Sequence, residues 1–220
     1  MSIVLAIGDT HAPFAHARAL DFLLALKRRY KPDVVVHIGD LGDQYGWSRH
    51  DASPDAMSGG DEVEACREWC RRLYRLFPRA LACIGNHDLR LVRNAQRAKI
   101  PTALIRSIPE IYDCPEGWEW AHDHTIDGVR YFHGERCATA EPAVWAVRSC
   151  GSSCVIGHNH LTGGVKVLQH RWGRMFGMSL GCLVDRHAPG LQYAAANIRV
   201  PALGSGVVID GVPTWIPMED

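Results

Sequence analysis

The sequence lacks an excess of charge of either sign, an apolar run long enough to cross a bilayer, and any Cys-x-x-Cys pair. Its 24 Lys and Arg balance 24 Asp and Glu, so the whole-molecule field offers no footprint for nucleic acid or a membrane surface, and only local patches remain. No stretch approaches the ~20 consecutive apolar residues of a membrane helix. The segment before Gly8 carries no basic region and is too short for a secretory leader, whose removal would also discard Asp9. The 8 cysteines include pairs four apart, Cys66/Cys70 and Cys150/Cys154, but neither has a second ligand pair at zinc-finger spacing. Reduced structural thiols are expected, and with them a cytoplasmic location. Repeats, low-complexity tracts and linkers are missing too. The 220 residues therefore read as a single domain, 1–220, with an ordinary 47% hydrophobic content.

What is present is a recurring grammar: an apolar run, a glycine or tight turn, then a metal-binding side chain. Ile3–Ile7 precedes Gly8-Asp9-Thr10-His11, and Val34–Ile38 precedes Gly39-Asp40-Leu41-Gly42-Asp43. Leu81–Ile84 precedes Gly85-Asn86-His87-Asp88, Val129–Phe132 precedes His133-Gly134, and Cys154–Ile156 precedes Gly157-His158-Asn159-His160. Such runs predict buried strands. Open α/β sheets place their sites just beyond strand carboxyl ends. Carboxylate oxygens, an amide oxygen and imidazole nitrogens then converge on one rim, which suits divalent metal ions, two rather than one.

Between the runs, helices are expected near His16–Tyr30, from Asp61 as cap to Pro78, from Asp88–Leu89 onward, and near Glu141–Cys150. Residues Gln44–Gly60 read as irregular. After His160 the texture turns to short β-like pieces, Val165–His170, Met175–Leu180, Gly206–Ile209 and Pro213–Pro217. The fold class expected is an α/β sandwich, mixed β-sheet flanked by helices, with a β-rich part from about residue 165.

Taken singly, Asp-x-His or Gly-Asp is a weak signal. Three polar residues directly after a strand, as in Asn86-His87-Asp88, are costly to bury unless something satisfies them. The two imidazoles of His158 and His160 are the strongest local signal. In their order, Asp-x-His, Gly-Asp-x-x-Asp, Gly-Asn-His-Asp, His-Gly and Gly-His-x-His, the motifs make the chain resemble the calcineurin-like metallophosphoesterases from Asp9 to His160. The resemblance implies that one metal takes Asp9, His11 and His160, that a second takes Asn86, His133 and His158, and that Asp40 bridges them. It implies that His87 is the catalytic histidine assisting the leaving oxygen, with Asp43 orienting it. Asp88 reads as a cap for the following helix or a support for His87. The serine/threonine protein phosphatase branch has Asp-Arg-Gly and Asn-His-Glu where this chain has Gln44-Tyr45-Gly46 after Asp43 and Asp88 after His87. The chain is therefore more similar to compact stand-alone bacterial and phage phosphodiesterases and nucleases.

The chemistry agrees with those roles. Paired cations clamp a phosphate and turn a bound water into a hydroxide nucleophile, and a carboxylate bridges them naturally. Mixed oxygen and nitrogen ligation points to manganese first, with iron, zinc or nickel as alternatives. Arg90, Arg93 and Arg97 fall at i, i+3 and i+7; Arg90 is the candidate phosphate contact and the other two a solvated stripe. Arg67, Arg71, Arg72, Arg75 and Arg79 are expected to face solvent. Tyr45, Trp47, Arg49 and His50 suit stacking on a base, or else form an ordinary surface loop; Trp118, Trp120, His122 and His124 suit packing. The function expected is a binuclear metal-dependent phosphodiesterase of nucleotide or nucleic-acid substrates. A phosphomonoesterase and a catalytically inactive scaffold are the alternatives.

Overall fold

The computed structural model describes residues 1–49, 53, 56–171, 173–188 and 200–219. Strands β1 (Ile3–Ile7), β2 (Val34–His37), β3 (Ala80–Cys83) and β4 (Trp118–Ala121) lie parallel, with a helical crossover feeding each of the last three. Two later strands, β10 (Gly204–Ile209) and β11 (Val212–Pro217), extend this sheet antiparallel on the free edge of β1, giving the order β11-β10-β1-β2-β3-β4. The second sheet runs β5-β6-β7-β9-β8, built from β5 (Asp123–Ile126), β6 (Val129–Phe132), β7 (Ser153–Ile156), β8 (Gly163–His170) and β9 (Gly173–Leu180). Both sheets are mixed, so the β-rich tail completes each of them.

Strand periodicity decides the layers. In β1, Val4 and Ala6 turn toward the second sheet and pack with Val36, Tyr131, Val155, Met178 and Leu180. Their neighbours Leu5 and Ile7 turn the other way, onto α1 (Ala19–Tyr30) and α2 (Gly59–Leu76), where Leu23, Leu26, Cys66, Cys70 and Leu73 meet them. Helix α5 (Pro142–Cys150) covers the outer face of the second sheet, with Ala146 and Val147 over Cys154 and Ile156. The result is helix, sheet, sheet, helix. All eight cysteines carry free thiols.

Several expectations need correction. Helix α1 starts at Ala19 rather than His16, because the His16 N–H is drawn to the Leu183 carbonyl at 2.7 Å. Helix α2 is capped by Ser58, not Asp61: the extended Ser58 accepts the Asp61 N–H at 3.2 Å, and the two glycines become the first turn. Arg67 does not face solvent; its Nε donates to the Ile111 carbonyl at 2.8 Å and ties α2 to α4 (Ile108–Ile111). Trp118 is core, donating to the Phe77 carbonyl at 2.9 Å, and Trp120 stacks on Tyr112. His50 lies outside the described residues.

One polar side chain sits inside the apolar run of β2. His37 is fully buried; its Nδ1 accepts the Gly39 N–H at 3.3 Å and its Nε2–H donates to Thr10 Oγ1 at 3.1 Å. The Thr10 hydroxyl then donates to the Leu41 carbonyl at 2.9 Å, which fixes this tautomer. Burial disfavours the imidazolium and pulls the pKa down from 6.5 to about 4, against the opposing pull of Asp9 and Asp40. Between those values the unfolded chain takes up a proton that the folded chain refuses, so stability is lost as pH falls through the window. From about pH 7 to about pH 5 this costs about 2 kcal/mol. We expect the urea midpoint of metal-free protein to drop over that interval by more than that of a His37→Gln variant. Parallel losses in the two proteins would remove His37 as the source.

Candidate active site

The carboxyl ends of β1, β2, β3, β6 and β7 open onto one rim, and each delivers its polar residues there. Asp9, Asp40, Asp43, His11 and His133 are buried, at 3% exposure or less. Asn86, His87, Arg90, His158 and His160 complete the ring, partly exposed. The structure thus brings together every residue named from the sequence for this site. Among these, His11, Asp40 and His158 have positive φ (46°, 52° and 63°). Non-glycine residues hold that conformation at a cost of about 1–3 kcal/mol each, a strain that clusters at functional sites.

Two groups of donor atoms form. In one, Asn86 Oδ1 lies 2.8 Å from His133 Nε2 and 2.9 Å from His158 Nδ1. His133 Nε2 lies 3.2 Å from that same His158 Nδ1 and 3.1 Å from Asp40 Oδ2. In the other, Asp9 Oδ2 lies 3.2 Å from His160 Nε2, and ligand atoms of Asp9, His11 and His160 all fall within 4.8 Å of one another. Asp40 Oδ2 stands between the groups, 3.6 Å from His11 Nε2.

These distances fit metal ions. Ligand atoms around an ion with bonds of about 2.1 Å sit about 3 Å apart, as the atoms of the first group do. The alternative, hydrogen bonding alone, leaves the ligand nitrogen His11 Nε2 buried without a partner among the described residues. Buried polar atoms are rarely left so. His11 Nδ1 is held 2.5 Å from Asp43 Oδ1, which turns its bare Nε2 into the site, the arrangement a histidine ligand needs. Asp43 therefore supports two histidines, since the same oxygen lies 3.0 Å from His87 Nδ1. The sequence pointed to only one of these contacts.

Charge runs through the cluster in alternation. Burial alone would raise the Asp40 carboxyl; His133 and His87 outweigh it and hold it well below the usual carboxylate range. Asp43 is likewise held low against burial by hydrogen bonds from His11 and His87. For His133 burial pulls down, but Asp40 and Asp9 win and raise it to about 9. His87 is raised too, by Asp40 and Asp43 against burial and Arg90. Arg90 donates to the Asp43 carbonyl at 2.9 Å, and its Nη2 lies 3.0 Å from His87 Nε2, so the two converge on one point.

Asp88 neither caps α3 (Arg90–Arg97) nor touches His87. Its Oδ2 accepts the N–H groups of Asp40 at 2.9 Å and Gly85 at 2.8 Å. Its Oδ1 accepts the Leu41 N–H at 3.1 Å and the Tyr112 hydroxyl at 3.0 Å. Gln44 joins this network through Tyr112 at 2.8 Å. Burial and the Asp40 charge push Asp88 up to about 6. Neither Tyr112 nor Gln44 was singled out for this task by the sequence, because backbone partners leave no pattern in it.

A profile of the calcineurin-like phosphoesterases matches residues 3–161, and the chain belongs to that family. It is a metal-dependent phosphoric ester hydrolase. It is 28% identical to the gene 54 protein of Mycobacterium phage D29 over 223 residues, covering 88% of this chain and 84% of that protein. Among solved structures it is similar to Yfce, a phosphoesterase from E. coli (TM-score 0.49, 16% identity, covering 98% of this chain and 92% of that one). It is also similar to a metallophosphoesterase from Sphaerobacter thermophilus (TM-score 0.48, 16% identity, covering 99% and 88%).

Two glycines of the motifs leave room for carboxylates. A Cβ at Gly157 would stand 2.1 Å from Asp9 Oδ1, and one at Gly85 would stand 2.0 Å from Asp40 Oδ1. Gly157→Ala should displace Asp9 and weaken manganese binding about 10–100-fold in calorimetric titration, with the circular dichroism spectrum retained. Unchanged affinity would show that Asp9 does not hold metal.

Proposed function

We propose that this chain, acting as one catalytic unit over residues 1–220, is a binuclear metal-dependent phosphodiesterase. Asp9, His11 and His160 would hold one ion and Asn86, His133 and His158 the other, with Asp40 shared, manganese being the first candidate and iron, zinc or nickel the alternatives. When bound, the ions supply Lewis-acid charge to the phosphoryl oxygens and acidify a water. His87 keeps its Nδ1–H on the Asp43 carbonyl at 2.8 Å, and its Nε2 accepts from Arg90 Nη2 at 3.0 Å; once Arg90 turns to the phosphate, Nε2 is the atom that would carry a proton to the departing oxygen. Asp43 and Asp40 favour the protonated ring. Arg90 meets a non-bridging oxygen at the point where its guanidinium and the His87 ring converge.

The observation that favours a diester is the groove of about 160 Å³ that leaves the site past Asn86 and Arg90. A second ester arm has somewhere to lie, whereas a monoester has no use for it. A phosphomonoesterase is the second reading, since the same metal centre suits either ester. A catalytically inactive scaffold has no reason to keep this full donor set or its strained backbone. No helix among the described residues is long and apolar enough to cross a membrane. Free thiols support a cytoplasmic site of action.

With manganese-loaded protein, His87→Ala should lower kcat on bis(p-nitrophenyl) phosphate about 10²–10⁴-fold. Asp40→Asn should abolish turnover, and both variants should keep the fold by circular dichroism. Full activity in either removes the mechanism. Faster turnover of p-nitrophenyl phosphate than of the diester would transfer the assignment to the monoesterase.

A further inference from the structure

The groove beside Asn86 is lined by Trp47, Ser48, Arg49, Arg90, Arg93, Asn94 and Arg97, and among the described residues no carboxylate stands in its walls. Four arginines in one groove stand out on a chain with no net charge. Arg93 is the most neutralised, through its paired bonds to Glu135 at 3.0 and 2.9 Å. Arg49 and Arg97 are exposed, and Arg97 Nη1 is held on Asn94 Oδ1 at 2.9 Å. Arg90 to Arg97 spans seven residues of α3, about 10 Å at 1.5 Å per residue. That is longer than one phosphate group.

The opposite wall is built to stay in place. Glu62 accepts the N–H groups of Tyr45 and Gly46, both at 2.7 Å, and the Asn94 side chain donates to the Trp47 carbonyl at 2.7 Å. The half-buried Trp47 ring lies against Gly59. The groove therefore offers a row of guanidinium groups on one side and a fixed aromatic ring on the other. Phosphates spaced along a chain, with bases free to stack, match that pattern.

We infer that the substrate is a single-stranded polynucleotide, whose non-leaving arm runs along α3 with a neighbouring phosphate on Arg97 and a base against Trp47. This rests on the phosphodiesterase reading and adds its substrate class. A groove of about 160 Å³ has room for one unpaired base. Arg97 and Trp47 act on binding and on KM, because neither touches the reacting phosphate.

The test compares fluorescent single-stranded DNA and RNA oligonucleotides of one sequence with bis(p-nitrophenyl) phosphate, using manganese-loaded protein and the variants Arg97→Glu and Trp47→Ala. Binding is read by fluorescence anisotropy, which needs no turnover, and hydrolysis separately. Arg97→Glu should weaken binding of the preferred oligonucleotide about tenfold and flatten its salt dependence. Trp47→Ala should weaken it by a similar factor. The small diester is too short to reach Arg97, so its kcat/KM should stay unchanged in Arg97→Glu. A stronger response with one sugar identifies the source of the strand. Unaltered oligonucleotide affinity in both variants, or a mononucleotide that competes equally well, overturns the inference while leaving the phosphodiesterase intact. Absence of small-diester hydrolysis by the parent protein instead removes the reading beneath it.

Discussion

Four carboxylates, Asp9, Asp40, Asp43 and Asp88, are buried to 3% exposure or less at one end of two packed sheets. Stripping an ionised carboxyl of water costs several kcal/mol even after relaxation, and like charges nearby add to it. Each of the four is compensated by a different set of partners. Asp9 and Asp40 face imidazoles. Asp43 is spread over His11 and His87. Asp88 has no cationic partner among its hydrogen bonds and relies on three backbone N–H groups and a tyrosine hydroxyl. The histidines are needed by the carboxylates as much as the reverse, which is why loss of one member should disturb the others. Interactions of this kind are seldom additive.

The same constraint shapes the backbone. Asp40 and His158 follow glycines at strand ends and take up left-handed conformations, while His11 does so two residues beyond Asp9. Hydrogen bonds hold each bend: the Asp40 carbonyl accepts from Thr10 and His11, and Asp9 Oδ2 accepts the His158 N–H at 2.8 Å. Strain stored this way is maintained by the surrounding sheets. Donor atoms are thereby preset at metal-binding separations, so little reorganisation is left for the moment of binding.

How much of this was legible in the sequence follows from where each signal resides. Apolar runs ending in glycine marked β1, β2, β3, β6 and β7 to within a residue or so, and the side chains just beyond them are the ones that meet. Period-two burial did the rest for the layers. The sequence was silent where partners are main-chain atoms. Asp88 looks like a helix cap because it precedes a helix, yet its ligands are N–H groups more than forty residues earlier and that of Gly85. Ser58 was hidden behind two glycines that normally end order rather than begin a helix. His37 vanished inside a strand of valines, since burial keeps its ring neutral and a threonine from the neighbouring loop fixes its tautomer. Arg67 read as one more surface arginine in a row of five, and only the fold shows that one of them reaches an inward carbonyl.

Helix α3 connects the chemistry to the groove. Asn86 and His87 precede it, Arg90 opens it, and Arg97 closes it. Asn86 shares donor space with His133 and His158, so the path to the helix start is fixed relative to those two rings. Gln44 accepts the Leu91 N–H at 3.2 Å and also reaches Tyr112, tying the first turn to the network around Asp88. Asn94 then ties the second turn to the Trp47 wall. An α-helix of eight residues is stiff, so the spacing between the backbone positions of Arg90 and Arg97 is set by the fold rather than by a ligand. Preorganised spacing of that sort discriminates by length: a ligand too short to reach forgoes the far contact, and one that reaches gains it with little ordering cost. The element that follows Asn86 and His87 thus also fixes how far Arg97 stands from them.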